Sequence, residues 1–131
     1  MVRADGTYPL VALRQETITA TVVQTRVQGV NGANSGPDLK RNLDYFLECI
    51  DIAQGYGGRS DLLLFHEFPI TGFSEWTREQ HYNLALEIPG PETEEVAKRA
   101  RKYNCYIVFG TYAKDTKNWP GHILHLMIMV K

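Results

Sequence analysis

The chain has 131 residues and a formal net charge of −1, with 44% hydrophobic and 22% charged residues. This length suits one domain or part of one, and no basic stretch offers the phosphate neutralisation that nucleic-acid binding needs. The longest apolar runs, Leu62–Phe65 and Leu126–Val130, fall far short of the roughly 20 residues that span a bilayer. We therefore expect a globular protein without nucleic-acid or membrane partners.

Residues 1–16 form a polar lead without the apolar stretch of a secretory signal, so a cytoplasmic location is expected. Residues 17–131 form the predicted domain. Its first segment, Thr17–Val27, is rich in β-branched residues and predicts a core strand. Gly29–Pro37 has the composition of a loop. From Asp38, which can act as an N-cap, apolar residues recur at helical spacing until a glycine-rich segment ends the helix.

The later segments continue this alternation. Leu62–Phe65 predicts a short strand buried on both faces, and Glu92–Lys102 predicts a charged helix. Cys105–Tyr112 and His122–Val130 predict two further apolar strands. Strands and helices in this order predict an α/β fold, in which helices cover at least one face of a sheet.

Glu67 is the sharpest candidate for chemistry, because it stands just after the predicted strand Leu62–Phe65. Open α/β sheets place their sites at the carboxyl ends of their strands. Burial at this place would suit the carboxylate to act as a general base. A lone glutamate, however, is more readily explained as a residue that caps a turn or pairs with an arginine. The sequence around it must therefore decide.

The segment FHEFPITGF, in which Glu67 is followed by Gly72 and Phe73, resembles the first catalytic block of the nitrilase superfamily of carbon–nitrogen hydrolases. IPGPETEEVAKRARKYNCYIVFGTY resembles the next stretch of that family. TATVVQ, which ends at Gln24, resembles its first strand, and HILHLMIMV resembles a later one. The resemblance covers about Thr17–Val130, and the order of the blocks is more specific than any single block.

The resemblance implies a fold class of α/β, as the N-terminal half of a four-layer αββα sandwich. It also implies a Glu-Lys-Cys site, in which Glu67 takes the thiol proton and a cysteine attacks an amide or nitrile carbon to give a thioester. No metal or organic cofactor is implied. The expected partners are a small-molecule amide, N-carbamoyl compound or nitrile and further copies of the chain, as a homodimer or larger homo-oligomer.

Phe73, Trp76 and Tyr82 are candidates to line the substrate pocket, since aromatic walls are usual in small-molecule sites. Packing in the core explains the three residues equally well. Phe73 is the substrate-binding residue that we single out.

The family's lysine and cysteine have no counterpart in this sequence, and we expect the chain to stop before the enzyme is complete. Lys131 follows an apolar strand without an intervening turn and is interpreted as a chain-end residue. Cys105 begins a buried strand and Cys49 lies on the apolar side of a helix, so both are predicted to be reduced thiols that pack in the core. A chain that ends on an apolar strand is expected to fold poorly alone.

The four histidines are weaker candidates for a functional role than Glu67. His122 and His125 are three residues apart and point to opposite faces of a strand, which argues against a shared metal. His66 stands where the family often has proline and is predicted to be a hydrogen-bonded residue at a strand end. His81 is predicted to lie on a surface helix or loop.

Three interpretations remain open. The first is part of a carbon–nitrogen hydrolase with Glu67 as its base. The second is a catalytically incomplete homologue that acts as a binding or scaffold α/β domain. The third is a generic α/β domain in which Glu67 is structural. A lysine after the last strand and a later cysteine in the adjoining coding sequence would separate the first two.

Overall fold

The computed structural model describes residues 16–56 and 58–131. The predicted N-terminal lead, except Glu16, lies outside the described residues. The described elements are strands and helices in alternation, which confirms the predicted α/β class. In chain order they are β1 (Ala20–Val23), α1 (Ser35–Tyr56), β2 (Leu62–Phe65), α2 (Arg78–Leu84), β3 (Leu86–Glu87), α3 (Pro91–Tyr103), β4 (Tyr106–Asp115) and β5 (Trp119–Val130).

One sheet contains the five described strands. β1, β2 and β4 run parallel, with Val22 opposite Leu64 and Leu64 opposite Val108. β5 pairs with one edge of β4 in the antiparallel sense along most of its length. Because β5 occupies that edge, β2 and β3 both lie along the other edge of β4. β2 pairs with the first residues of β4, and β3 pairs with β4 further along, at Ala113. The carboxyl end of β2 therefore faces the middle of β4.

One face of the sheet is covered by α1 and α3. Leu63, Ile107 and Phe109 point to this face from alternate positions of their strands, and all three are fully buried. The ring of Phe46, from α1, meets the rings of Phe65 and Phe109 edge-on, with centroid distances of 4.7 and 5.1 Å. The hydrophobic core thus lies between the helices and this face.

The opposite face, which we call the open face, is left largely uncovered by the described helices, of which α2 reaches it at Tyr112. Its side chains are nevertheless apolar: Val22 is 77% exposed, Met129 is 64% exposed and Tyr106 is 39% exposed. Solvent-exposed apolar area of this kind marks a surface that another element or chain covers. The expectation of helices on at least one face is confirmed for one face alone.

Several predicted boundaries differ from the structure, among them the start of α1. α1 begins at Ser35, before Asp38, because the Asp38 carboxylate accepts the backbone N–H of Asn31 and an Arg41 N–H instead of capping the helix. The helix α2 and the short strand β3 were not predicted. None of the helices in the described ranges combines the length and apolar character needed to cross a membrane.

Candidate active site

Glu67 lies two residues past the end of β2, where the chain turns over the middle of β4. The backbone N–H of Gly110, on β4, donates to the carbonyl oxygen of His66 at 3.2 Å. A Cβ atom on residue 110 would fall 2.7 Å from the Cα of Glu67, closer than such atoms can approach. The glycine at this position therefore allows the turn that carries Glu67 to pack directly on the sheet.

The rest of the turn is fixed from below by α1. Buried Asn42 donates from its amide nitrogen to the carbonyl oxygens of Gln28 and Ile70, at 3.1 and 3.0 Å. Gly72 adopts a φ of 65° and donates its N–H to the Phe68 carbonyl oxygen at 3.2 Å. A side chain at residue 72 would collide with the backbone of Gln28. The loops that follow β1 and β2 are thus held against each other.

The side chain of Glu67 is exposed, and its carboxylate makes no hydrogen bond to the described residues. The expected burial of this carboxylate was wrong, because the turn carries it above the sheet and no described element covers it there. The carboxylate acts electrostatically on a neighbouring residue, Tyr112. Burial raises the pKa of Tyr112, and the negative charge of Glu67 raises that pKa further. The phenol of Tyr112 therefore lies within electrostatic reach of the carboxylate.

Beside Glu67 lies a group of rings that we call the aromatic cluster. The Phe68 ring stacks on Tyr112 at 4.7 Å and on His125 at 5.1 Å between centroids. Phe73, which is 63% exposed, leans on Phe68 at 5.6 Å. Phe73, the residue predicted to bind substrate, therefore lies at an exposed edge of the cluster. The cluster consists of Phe68, Phe73, Trp76, His81, Tyr112 and His125.

His81 belongs to this cluster and is not a plain surface residue. It lies on α2, half-buried, with its ring perpendicular to that of Tyr112 at 4.0 Å. Burial lowers the pKa of His81. Its Nε2 atom and the hydroxyl of Thr71 are buried without a hydrogen-bond partner among the described residues. Sequence reasoning missed this position because α2 itself was missed.

The remaining sequence candidates lie away from Glu67. Cys105 is fully buried and Cys49 is half-buried, and burial raises the pKa of both thiols, which makes them poor nucleophiles. Lys131 donates to the Tyr106 hydroxyl at 3.2 Å, at the opposite end of the sheet from Glu67. Neither Cys105 nor Lys131 is therefore placed to complete a site with Glu67.

The described residues also show no metal centre, and Glu67 is open to solvent. No group of three or more His, Cys, Asp or Glu side chains in the described ranges is arranged to hold a metal ion. Four of the surface cavities have volumes of about 240 to 650 Å³, and neither Glu67 nor Phe73 lines any of these four. What the described residues form here is an aromatic surface beside an accessible carboxylate.

The chain is similar to known proteins in both sequence and fold. The model of the family described as Carbon-nitrogen hydrolase matches residues 10–128. Crystal structures of an N-terminal amidase with Gln-Gly, Gln-Val and Asn-Glu peptides match 86% of the chain at 20% sequence identity, with a TM-score of 0.66. This likeness shows a shared fold.

The chain spans 25% of the length of these amidase chains. Its single sheet with one helical layer thus corresponds to a part of the nitrilase fold, as the sequence predicted. The family match extends over nearly the whole sequence and includes both Glu67 and the strand that packs beside it. This chain belongs to the carbon–nitrogen hydrolase family.

Proposed function

We propose that Glu67 is the general base of a carbon–nitrogen hydrolase that acts on non-peptide C–N bonds of small amides, N-carbamoyl compounds or nitriles. One observation carries the proposal: in a chain of this family, an exposed carboxylate stands at the carboxyl end of β2, held over β4 by Gly110. That end of an open α/β sheet is where catalytic groups collect. The family's lysine and cysteine would complete the site from residues outside this sequence.

In the proposed reaction on an amide, the Glu67 carboxylate takes the proton of a cysteine thiol. The thiolate attacks the carbonyl carbon, and the lysine cation stabilises the negative charge that forms on the carbonyl oxygen. Glu67 returns the proton to the leaving nitrogen, so that ammonia or an amine departs and a thioester remains. Glu67 then takes a proton from water as it attacks the thioester, and the acid is released with the thiol restored.

The aromatic cluster would supply one wall for the substrate. Phe73 lies at an exposed edge of the cluster, and flat rings of this kind exclude water from one side of a small planar amide. The location of the site, beside the apolar open face, also suits closure by another sheet or another copy of the chain. We accordingly propose a homodimer or larger homo-oligomer, located in the cytoplasm.

A second candidate is favoured by one observation. The Glu67 carboxylate is exposed and makes no hydrogen bond to the described residues, so these residues leave it uncovered. A catalytically incomplete homologue, which acts as a binding or scaffold domain, would have this property. The coding sequence that adjoins this chain distinguishes the two: a lysine after β5 and a later cysteine support the hydrolase, and a complete protein without them supports the scaffold.

The direct test is Glu67→Gln in the polypeptide that contains this chain. Glutamine keeps the shape of the side chain but cannot accept the thiol proton, so we expect the rate of amide hydrolysis to fall by about 10²–10⁴-fold with the fold unchanged by circular dichroism. The matched control is Glu75→Gln, which removes an exposed carboxylate from the same loop. Activity of the Glu67 variant within tenfold of wild type would contradict the proposal.

A further inference from the structure

His66, which directly precedes the candidate base in the chain, makes a hydrogen bond with each of its two ring nitrogens. Its Nε2 atom lies 2.6 Å from the hydroxyl oxygen of Thr25, and its Nδ1 atom lies 3.2 Å from the backbone nitrogen of Phe68. A backbone N–H can only donate, so Nδ1 is the acceptor and carries no proton. Nε2 therefore carries the proton and donates to Thr25, which defines one neutral tautomer.

These two bonds connect the chain that follows β1 with the turn that follows β2. β1 and β2 are parallel neighbours with Val23 opposite Phe65, and Thr25 and His66 follow those two residues closely. The imidazole thus bridges the carboxyl end of β1 to the backbone just past Glu67. Burial lowers the pKa of His66, and the negative charge of Glu67 opposes that shift only in part, so the ring is neutral at pH 7.

Glu67 has few other restraints. Its exposed carboxylate makes no hydrogen bond within the described ranges, so its position depends on the backbone that carries it. That backbone is fixed by the hydrogen bond from Gly110 to the His66 carbonyl, and by the His66 ring on the Phe68 side. The Phe68 carbonyl oxygen accepts from the Gly72 N–H further along the turn, and the two hydrogen bonds nearest to Glu67, at the His66 carbonyl and at the Phe68 N–H, both involve His66.

We propose that His66 is a positioning residue for Glu67: its neutral ring connects Thr25 to the Phe68 backbone and so fixes the direction in which the carboxylate points. The proposal rests on the proposed role of Glu67 as the base. A catalytic group that is displaced by about 1 Å loses on the order of 10²-fold in rate, so a residue that holds the turn controls kcat without contacting substrate.

The first test uses the polypeptide that contains this chain and needs no activity. Backbone order parameters from ¹⁵N relaxation are expected to be near 0.85 at Glu67 and to fall below about 0.6 in His66→Ala. Thr25→Val, which removes the hydroxyl partner alone, should lower the value by less, and Thr25→Ser should restore it. His122→Ala, an exposed histidine on β5, is the matched control and should change nothing at Glu67.

Two further measurements complete the test. Correlations between ring protons and nitrogens should show the Nε2–H tautomer of His66 in wild type. In the polypeptide that hydrolyses amides, His66→Ala should lower kcat about tenfold or more with KM within about twofold, and Thr25→Ser should retain wild-type kcat. An unchanged order parameter at Glu67, the Nδ1–H tautomer or an unchanged kcat would each overturn the proposal. The order-parameter result is independent of whether Glu67→Gln abolishes activity, so failure of the two proposals can be told apart.

Discussion

The two faces of the sheet both contain apolar side chains but differ in how far these are covered. On the helix face, Phe109 is fully buried against Phe46 of α1. On the open face, Met129 of the paired strand is 64% exposed. Alternation along a strand gives both faces apolar residues, yet only one of them is buried by the described elements. Burial, and not hydrophobicity alone, therefore distinguishes a core residue from an apolar residue on the surface.

The largest expected effect lies on the helix face. Phe109→Ala should lower the free energy of unfolding by about 3–5 kcal/mol, because the cavity it leaves cannot be filled by its closely packed neighbours. Urea denaturation followed by circular dichroism measures the loss. A decrease below about 1 kcal/mol would show that the helix layer does not form the core.

A smaller effect is expected where the two helices of that layer meet. Asp51, on α1, accepts hydrogen bonds from Tyr103 at 2.5 Å, Lys102 at 3.1 Å and Arg99 at 3.2 Å, all from α3. Burial acts to raise the pKa of Asp51, but these three partners together hold it below its usual value. Asp51→Asn should cost about 1 kcal/mol at pH 7, since the network is partly exposed.

The pH dependence of this effect has a definite sign. A lowered pKa in the folded state means that Asp51 stabilises the fold above pH 3.8, the ordinary value for the group, and that this stabilisation is lost as the pH falls through the lowered value. Wild type and Asp51→Asn should therefore converge in stability in acid. A difference that persists unchanged at low pH would show that the ionised carboxylate is not the source.

The smallest effect is expected on the open face. Met129→Ala should change the free energy of unfolding by less than about 0.5 kcal/mol in dilute solution, because most of this side chain is in contact with water already. The same denaturation experiment, repeated at increasing protein concentration, sharpens the result. A loss that approaches that of Phe109→Ala, or that grows with concentration, would mean that copies of the chain cover this face.

Several elements could be predicted from the sequence because their signals are local. The strand Leu62–Phe65 was predicted with its observed limits, since a short apolar run has few alternatives. The helix α2 was missed although Thr77 and Gln80 form a capping box, the pattern of a hydroxyl residue followed three positions later by glutamine. The strand β3 has two residues and therefore no periodicity to detect.

The site was predicted less completely than the fold. The place of Glu67 at a strand end followed from the sequence, as did the hydrogen-bonded character of His66. The hydrogen bond between His66 and Thr25 and the close approach of Gly110 to Glu67 join residues that are far apart in the chain. No local sequence pattern indicates either contact. The exposure of the carboxylate depends on which elements lie above it, and this too is a property of the assembled structure.

The exposed methionines of the open face have a practical consequence. Met127 and Met129 are 59% and 64% exposed, and a thioether in contact with solvent is open to oxidation to the sulfoxide. Oxidation adds an oxygen atom that mass spectrometry detects in a peptide from β5. The rate at which these two methionines are oxidised therefore reports whether another element or chain covers the open face, both in cells and in purified protein.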